Sequence, residues 1–307
     1  YDYNYSFFNY VDPYKLPGTT VSTATRTVEN ISGGLTGSSP FVGGVEAGKY
    51  GLAVFELGYA QNNYYNSNIT ARKSYFLFDN EIVAVGSGIS ESSGNMIRTI
   101  IENRLWRDSD VLTVNGSAVS PLNGTEYDDT VKTMHFTNMG GYVFLEDTDV
   151  TYKRTTSFLE IWTDHGVRPQ NATYAYIYLP EATSAETESY SQSPDVEILT
   201  LNDTVHVVRE NKLNVTGYAF YGASGANGVT ASAACAVMVS VENGQTTITF
   251  SDPSHELTEL TLTLELPGAG SVVSADSNVN ASVENGTVTI NASISGNVGQ
   301  TYTVIIK

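Results

Sequence analysis

The 307 residues are 41% hydrophobic and only 16% charged, which excludes a disordered chain and suffices for the cores of two domains. A formal net charge of −18 repels nucleic-acid phosphates and gives an anionic membrane no reason to bind. It also repels an acidic polysaccharide at long range, so contact with one needs a local basic patch or residues elsewhere in a parent molecule. Twenty tyrosines, with abundant Thr, Ser, Val and Gly, suit pleated, half-exposed surfaces. No apolar run approaches the ~18 residues of a membrane span. The chain opens Tyr1-Asp2-Tyr3-Asn4-Tyr5, without an initiator Met or a signal-peptide run, so it is expected to begin inside a larger protein.

In chain order, residues 49–58 and 74–89 read as long strands, the second stretch turning at Asp79-Asn80. Residues 110–120 hold a short strand and the turn Asn115-Gly116. A short helix is expected near 182–190, too polar and brief to organise a core. Composition shifts across 181–195, placing a boundary between a large sheet assembly at 1–190 and a smaller β-domain at 191–307. Residues 239–250 and 281–290 each carry Asn-Gly between alternating segments, the pattern of a hairpin. Residues 301–306 form a closing strand. Long strands without intervening helices predict an all-β fold of stacked antiparallel sheets.

Candidate chemistry is sparse. The lone Cys235 sits among small apolar residues and is expected in a core. His135, His165, His206 and His255 show no metal-ligand spacing. Asp164-His165 invites a catalytic reading, but neighbouring side chains on a strand point apart and a structural role is expected. Asp108/Asp110 and Glu146/Asp147/Asp149 keep a structural calcium ion open, although solvated turns are the expectation and no cofactor is implied. Eleven Asn-x-Ser/Thr sites, from Asn4 to Asn291, are read as polar turns rather than glycan acceptors. Basic residues are few, so their places are informative: Arg72-Lys73 enters an aromatic strand, and Arg98, Arg104 and Arg107 cluster in one segment. Contact with a sugar acid would draw on such groups, with tyrosines stacking on sugar rings. The alternative is that each pairs with a local carboxylate.

Several segments, in order, resemble the family 8 polysaccharide lyases, which include hyaluronate, chondroitin AC and xanthan lyases. They are YVDPYKLPGTTV (10–21), GKYGLAVFELG (48–58), ITARKSYFLFDNEIVAVGSGI (69–89), MIRTIIENRL (96–105), NMGGYVF (138–144) and WTDHGVRPQNATYAYIYLP (162–180). Residues 195–307 are similar to that family's small carboxyl-terminal β-domain. The resemblance implies an antiparallel β-supersandwich followed by a smaller β-sandwich-like domain. It also implies a secreted parent enzyme that cleaves an acidic, uronic-acid-containing polysaccharide by β-elimination. Neutralising the uronate acidifies the C5 proton, a base removes it, and an acid protonates the leaving oxygen. In the family this work falls to Asn, His, Tyr and Arg residues on an α/α-toroid. Nothing in this chain reads as that toroid, so no catalytic residue is assigned, and the toroid is the implied partner of this β-region. Asn9, Tyr10, Tyr14 and Lys15 match a segment that lines the cleft in some members, and with Arg72 they are the substrate-cleft candidates. Two other readings stand beside this one: a stand-alone carbohydrate-binding or adhesive β-module, and a hydrolase with a carboxylate pair.

Overall fold

The computed structural model describes residues 11–12, 14–24, 38–58, 60–61, 66–296 and 298–307. The chain forms two compact units. One takes residues 1–36, 59–71 and 89–194; the other takes 37–58, 72–88 and 195–307.

In the first unit, antiparallel strands run in the order Thr20–Ser22, Met96–Leu105, Phe158–Val167, Gly140–Arg154 and Ala172–Pro180. Strand Glu126–Phe136 also pairs with Gly140–Arg154, through a register shift between Val131 and Thr133, and carries Leu112–Val114 on its other edge. Leu112–Val114 turns back into Ser117–Val119 through Asn115 (φ 47°) and Gly116 (φ 73°). Two successive positive φ angles are what a two-residue hairpin needs, and Asn-Gly adopts them at least cost. The two downstream Asn-Gly pairs do the same, at Asn243-Gly244 (51° and 74°) and Asn285-Gly286 (49° and 79°).

The short helix runs over Ser184–Gln192. Thr183 caps it: its hydroxyl accepts from the Glu186 backbone N–H (3.2 Å), while the Glu186 carboxylate accepts from the Thr183 N–H (2.8 Å). Its one buried side chain is Thr187. A β-carbon at Gly141 would lie 2.0 Å from the Thr187 hydroxyl oxygen, so a glycine in the sheet makes the seat for a polar helix.

The second unit is layered around a seven-stranded antiparallel sheet: Val196–Leu201, Val205–Glu210, Val215–Phe220, Cys235–Glu242, Gln245–Ser251, Tyr302–Ile306 and Val272–Ala275. A five-stranded sheet covers one face: Ser224–Ala226, Val229–Ala231, Glu259–Glu265, Thr287–Ser293 and Val279–Glu284. Alternate residues of both sheets, among them Phe220, Cys235, Val237, Ile248, Phe250, Leu262, Ile290 and Val304, fill a dry core between them. Cys235 is fully buried there, and burial pushes its thiol pKa up.

The opposite face carries smaller residues, Gly217, Ala219 and Ala236, and packs on Val42–Ala47 and Tyr50–Leu57. A β-carbon at Gly217 would sit 2.6 Å from a ring carbon of the buried Phe76. The Ser251 hydroxyl donates to the Gly44 carbonyl at 2.7 Å. Strands 42–57 and 72–88 thus supply the cover of the C-terminal sheet within this unit. The central strands of the seven-stranded sheet are buried on both faces, so they need a third layer of chain.

Candidate functional site

Among the described cleft candidates, Tyr14 and Lys15 lie in the turn that precedes Thr20–Ser22. Asp12 closes this turn, its carboxylate accepting the Tyr14 N–H (2.9 Å) and its carbonyl the Lys15 N–H (3.0 Å). Asn103 donates to the Lys15 carbonyl at 2.9 Å. The Lys15 ammonium meets Glu160 at 2.8 Å and Asp12 at 3.7 Å, and stands 5.9 Å from the centre of the Trp162 ring. Arg98 approaches the same ring at 4.6 Å and pairs through Nε with Asp164 at 2.7 Å. Register explains the meeting: Arg98 lies opposite Asp164, and Ile100, two residues on, lies opposite Trp162. The indole N–H also donates to Asp164 (3.3 Å). Two cations thus face three carboxylates around one buried indole, so an anionic ligand here competes with built-in counter-charges. Asn9 and Tyr10 lie outside the described residues.

Asp164 and His165 point apart. Asp164 serves Arg98, whereas His165 Nε2 contacts the Thr99 hydroxyl at 2.7 Å and its ring lies 6.3 Å from Tyr174. Arg104 pairs with Glu102 (2.8 Å), which accepts the buried Tyr142 hydroxyl (2.6 Å). Burial first, and Glu102 second, push the Tyr142 pKa up.

Arg72 belongs to the second unit. Its Nε pairs with Glu56 at 3.1 Å and its guanidinium lies 5.8 Å from the Tyr221 ring centre. Beneath it is a polar network that sequence reading missed. His206 is fully buried, with Nδ1 2.8 Å from the Ser74 hydroxyl and Nε2 2.7 Å from the Ser87 hydroxyl. Ser87 donates to the Asn202 carbonyl (2.9 Å) and Tyr221 to the Lys73 carbonyl (2.7 Å). The Ser87 oxygen therefore takes the Nε2 proton, and Nδ1 accepts from Ser74. Burial, then the nearby Arg72 charge, pull the His206 pKa down to about 3, so the neutral imidazole is the form at pH 7. Burial likewise lowers Lys73 to about 7. His206 has zero exposure and both ring nitrogens meet serines of neighbouring strands, so these contacts tie the strands together.

The two acidic turns considered for calcium are engaged locally. Asp110 accepts the Arg107 N–H (2.8 Å), Asp147 meets Lys132 at 3.7 Å, and Asp149 accepts from Thr130 (2.7 Å). Among the described residues, the one group whose carboxylate oxygens converge within 4.8 Å is Glu81, Asp195 and Glu210. Glu81 and Glu210 are buried, and Asp195 holds Lys212 at 2.6 Å. An oxygen-only donor set of this kind suits a hard cation such as Ca²⁺. Its members come from three separated stretches, so no local spacing reveals it.

This architecture, stacked antiparallel sheets with a terminal β-sandwich, is that of the β-region of a polysaccharide lyase. Residues 1–158 match the polysaccharide lyase family 8 super-sandwich domain, and residues 197–261 match that family's C-terminal β-sandwich domain. The chain belongs to polysaccharide lyase family 8. It is 29% identical over 335 residues to a xanthan lyase of Bacillus sp. strain GL1, covering 98% of this chain and 35% of that protein. It is 28% identical over 336 residues to the hyaluronate lyase HylB of Enterococcus faecalis, covering 99% and 33%. The solved Paenibacillus xanthan lyase superposes with a TM-score of 0.87 at 29% identity, covering 99% of this chain and 31% of that one. A Streptomyces coelicolor chondroitin AC lyase shares the fold, with a TM-score of 0.79 at 24% identity. The chain thus spans about a third of the length of these curated relatives.

Proposed function

We propose that this chain is the β-region of a secreted lyase that cleaves an acidic, uronic-acid-containing polysaccharide by β-elimination. In this reading it supplies scaffold and one wall of the substrate cleft, and a helical toroid of the same protein supplies proton transfer. The observation that carries the reading is the family match across both β-domains, in a chain that spans a third of relatives named for hyaluronate and xanthan cleavage. The local chemistry agrees with a supporting role. Lys15, Arg98 and Arg72 are each met by a carboxylate, and His206 is fully buried among serines. The wall would therefore present shape, aromatic rings and hydrogen bonds more than unpaired positive charge.

The test is turnover of hyaluronan, chondroitin and xanthan, followed by ultraviolet absorbance of the unsaturated uronic product. The chain alone is expected to give no product, and the same chain joined to a family 8 helical toroid is expected to give it. Product from the isolated chain would overturn the division of labour. Tight binding of an acidic polymer by the isolated chain, with no product from the joined protein, would instead establish a binding module.

A further inference from the structure

From Leu213 to Ile306 the chain carries no lysine or arginine, while Glu242, Asp252, Glu256, Glu259, Glu265, Asp276 and Glu284 are acidic. No acidic polymer is drawn to such a surface. Yet the outer face of the five-stranded sheet has a consistent chemistry of its own. Its inner face is apolar throughout, with Leu260, Leu262, Leu264, Val288, Ile290 and Ala292 buried. The alternate residues form two cross-strand rows of uncharged hydrogen-bonding groups. One row is Thr261, Asn291 and Asn280; the next is Thr230, Thr263, Thr289 and Ser282. A face kept polar only for solubility would ordinarily use Lys and Glu. Here the carboxylates stay at the strand ends, at Glu259, Glu265 and Glu284.

The first row runs through a groove of about 570 Å³, lined also by Asn278, Ser293 and Glu259. Within it the Thr261 hydroxyl donates to Asn291 Oδ1 at 3.0 Å, which leaves the Nδ2 donors of that amide for a ligand. Asn280 lies directly opposite Asn291 on the neighbouring strand. A carboxamide offers two donors and an acceptor on one planar group, so it pairs with two hydroxyls of a sugar ring without any charge. Successive strands stand ~4.8 Å apart, close to the advance of one pyranose unit along an extended glycan. A row across three strands therefore presents polar groups in step with a short run of sugar units.

We propose that this groove is a binding site for an uncharged saccharide, separate from any recognition of the acidic polymer. Affinity comes from amide–hydroxyl hydrogen bonds in a concave polar face with no aromatic platform, so the dissociation constant is expected near the millimolar range.

The test titrates the full chain, ¹⁵N-labelled at asparagine, with a neutral glucose hexasaccharide and, separately, with a uronate-containing hexasaccharide. The neutral sugar is expected to shift the Asn280 and Asn291 side-chain amide signals and to bind equally well from about 0.05 to 0.5 M salt. The double substitution Asn280→Ala, Asn291→Ala is expected to weaken it at least tenfold. Both positions are exposed, and the wild-type shifts stand as evidence even without the variant. Silence of those two amides at about 10 mM neutral sugar, or an equal response to the uronate sugar, would overturn the proposal.

Discussion

The two faces of the seven-stranded sheet are held by different means. Toward the five-stranded sheet the contact is apolar apart from the Tyr218 and Tyr302 hydroxyls: Phe220, Val237, Ile248, Leu262 and Ile290 interdigitate. Toward strands 42–57 and 72–88 the contact is close and directional. Glycine and alanine let backbones approach, and His206 ties Ser74 and Ser87 into one network, with the Tyr221 hydroxyl 2.9 Å from that of Ser74. A dry face depends on volume and tolerates small changes, whereas a face pinned by a buried histidine depends on geometry and on proton count.

The largest expected effect follows from removing the pin. His206→Ala leaves a cavity and strands two serine hydroxyls, and should lower unfolding free energy by about 4 kcal/mol in urea titration. The same residue makes stability fall in acid. Its folded pKa is near 3 and an unfolded histidine titrates near 6.5, so the unfolded chain binds the extra proton between those values. The contribution is whole above pH 6.5 and is lost as pH falls toward 3, by roughly 1.4 kcal/mol per pH unit. In a His206→Gln chain that part of the slope should vanish. An unchanged acid profile would mean that the imidazole stays exposed to protons in the folded state.

Next in size is a paired comparison across the sheet. Gly217→Ala drives a methyl against the fixed Phe76 ring and should cost about 2 kcal/mol. Ile290→Val on the dry face removes one methylene and should cost about 1 kcal/mol. If the isoleucine change proves the costlier, the contrast between the faces fails.

Much of the dry face was legible beforehand. Period-two alternation around Asn243-Gly244 and Asn285-Gly286 gives the hairpins, and the small apolar setting of Cys235 gives its burial. The pinned face was not legible. Alternation marks one buried side of a strand, and nothing local to HVVRE announces that His206 meets Ser74 and Ser87 more than a hundred positions away. The cations divide in the same way: their positions were visible, but the carboxylates of Glu160 and Glu56 that meet Lys15 and Arg72 were not, because only the tertiary fold brings them near. The helix falls between. The Thr183–Glu186 capping box is local and readable, whereas the glycine seat at Gly141 is not.

Arg72 gives the smallest effect and the sharpest separation of roles. Its ion pair with Glu56 is about one-third exposed, so Arg72→Ala should change stability at pH 7 by less than about 1 kcal/mol. Its charge nevertheless helps hold His206 neutral. Without it the histidine pKa should rise toward its ordinary value, and the acid loss of stability should shrink in proportion. A scan of unfolding midpoint against pH reads this directly: the Arg72→Ala curve should be flatter than wild type below pH 6.5. In the chain joined to a helical toroid, the same variant addresses substrate. A fall in kcat/KM for the acidic polysaccharide, with the stability curve shifted only as described, would place Arg72 against the polymer. Unchanged kinetics with the flatter curve would make it a positioning residue for the buried network alone.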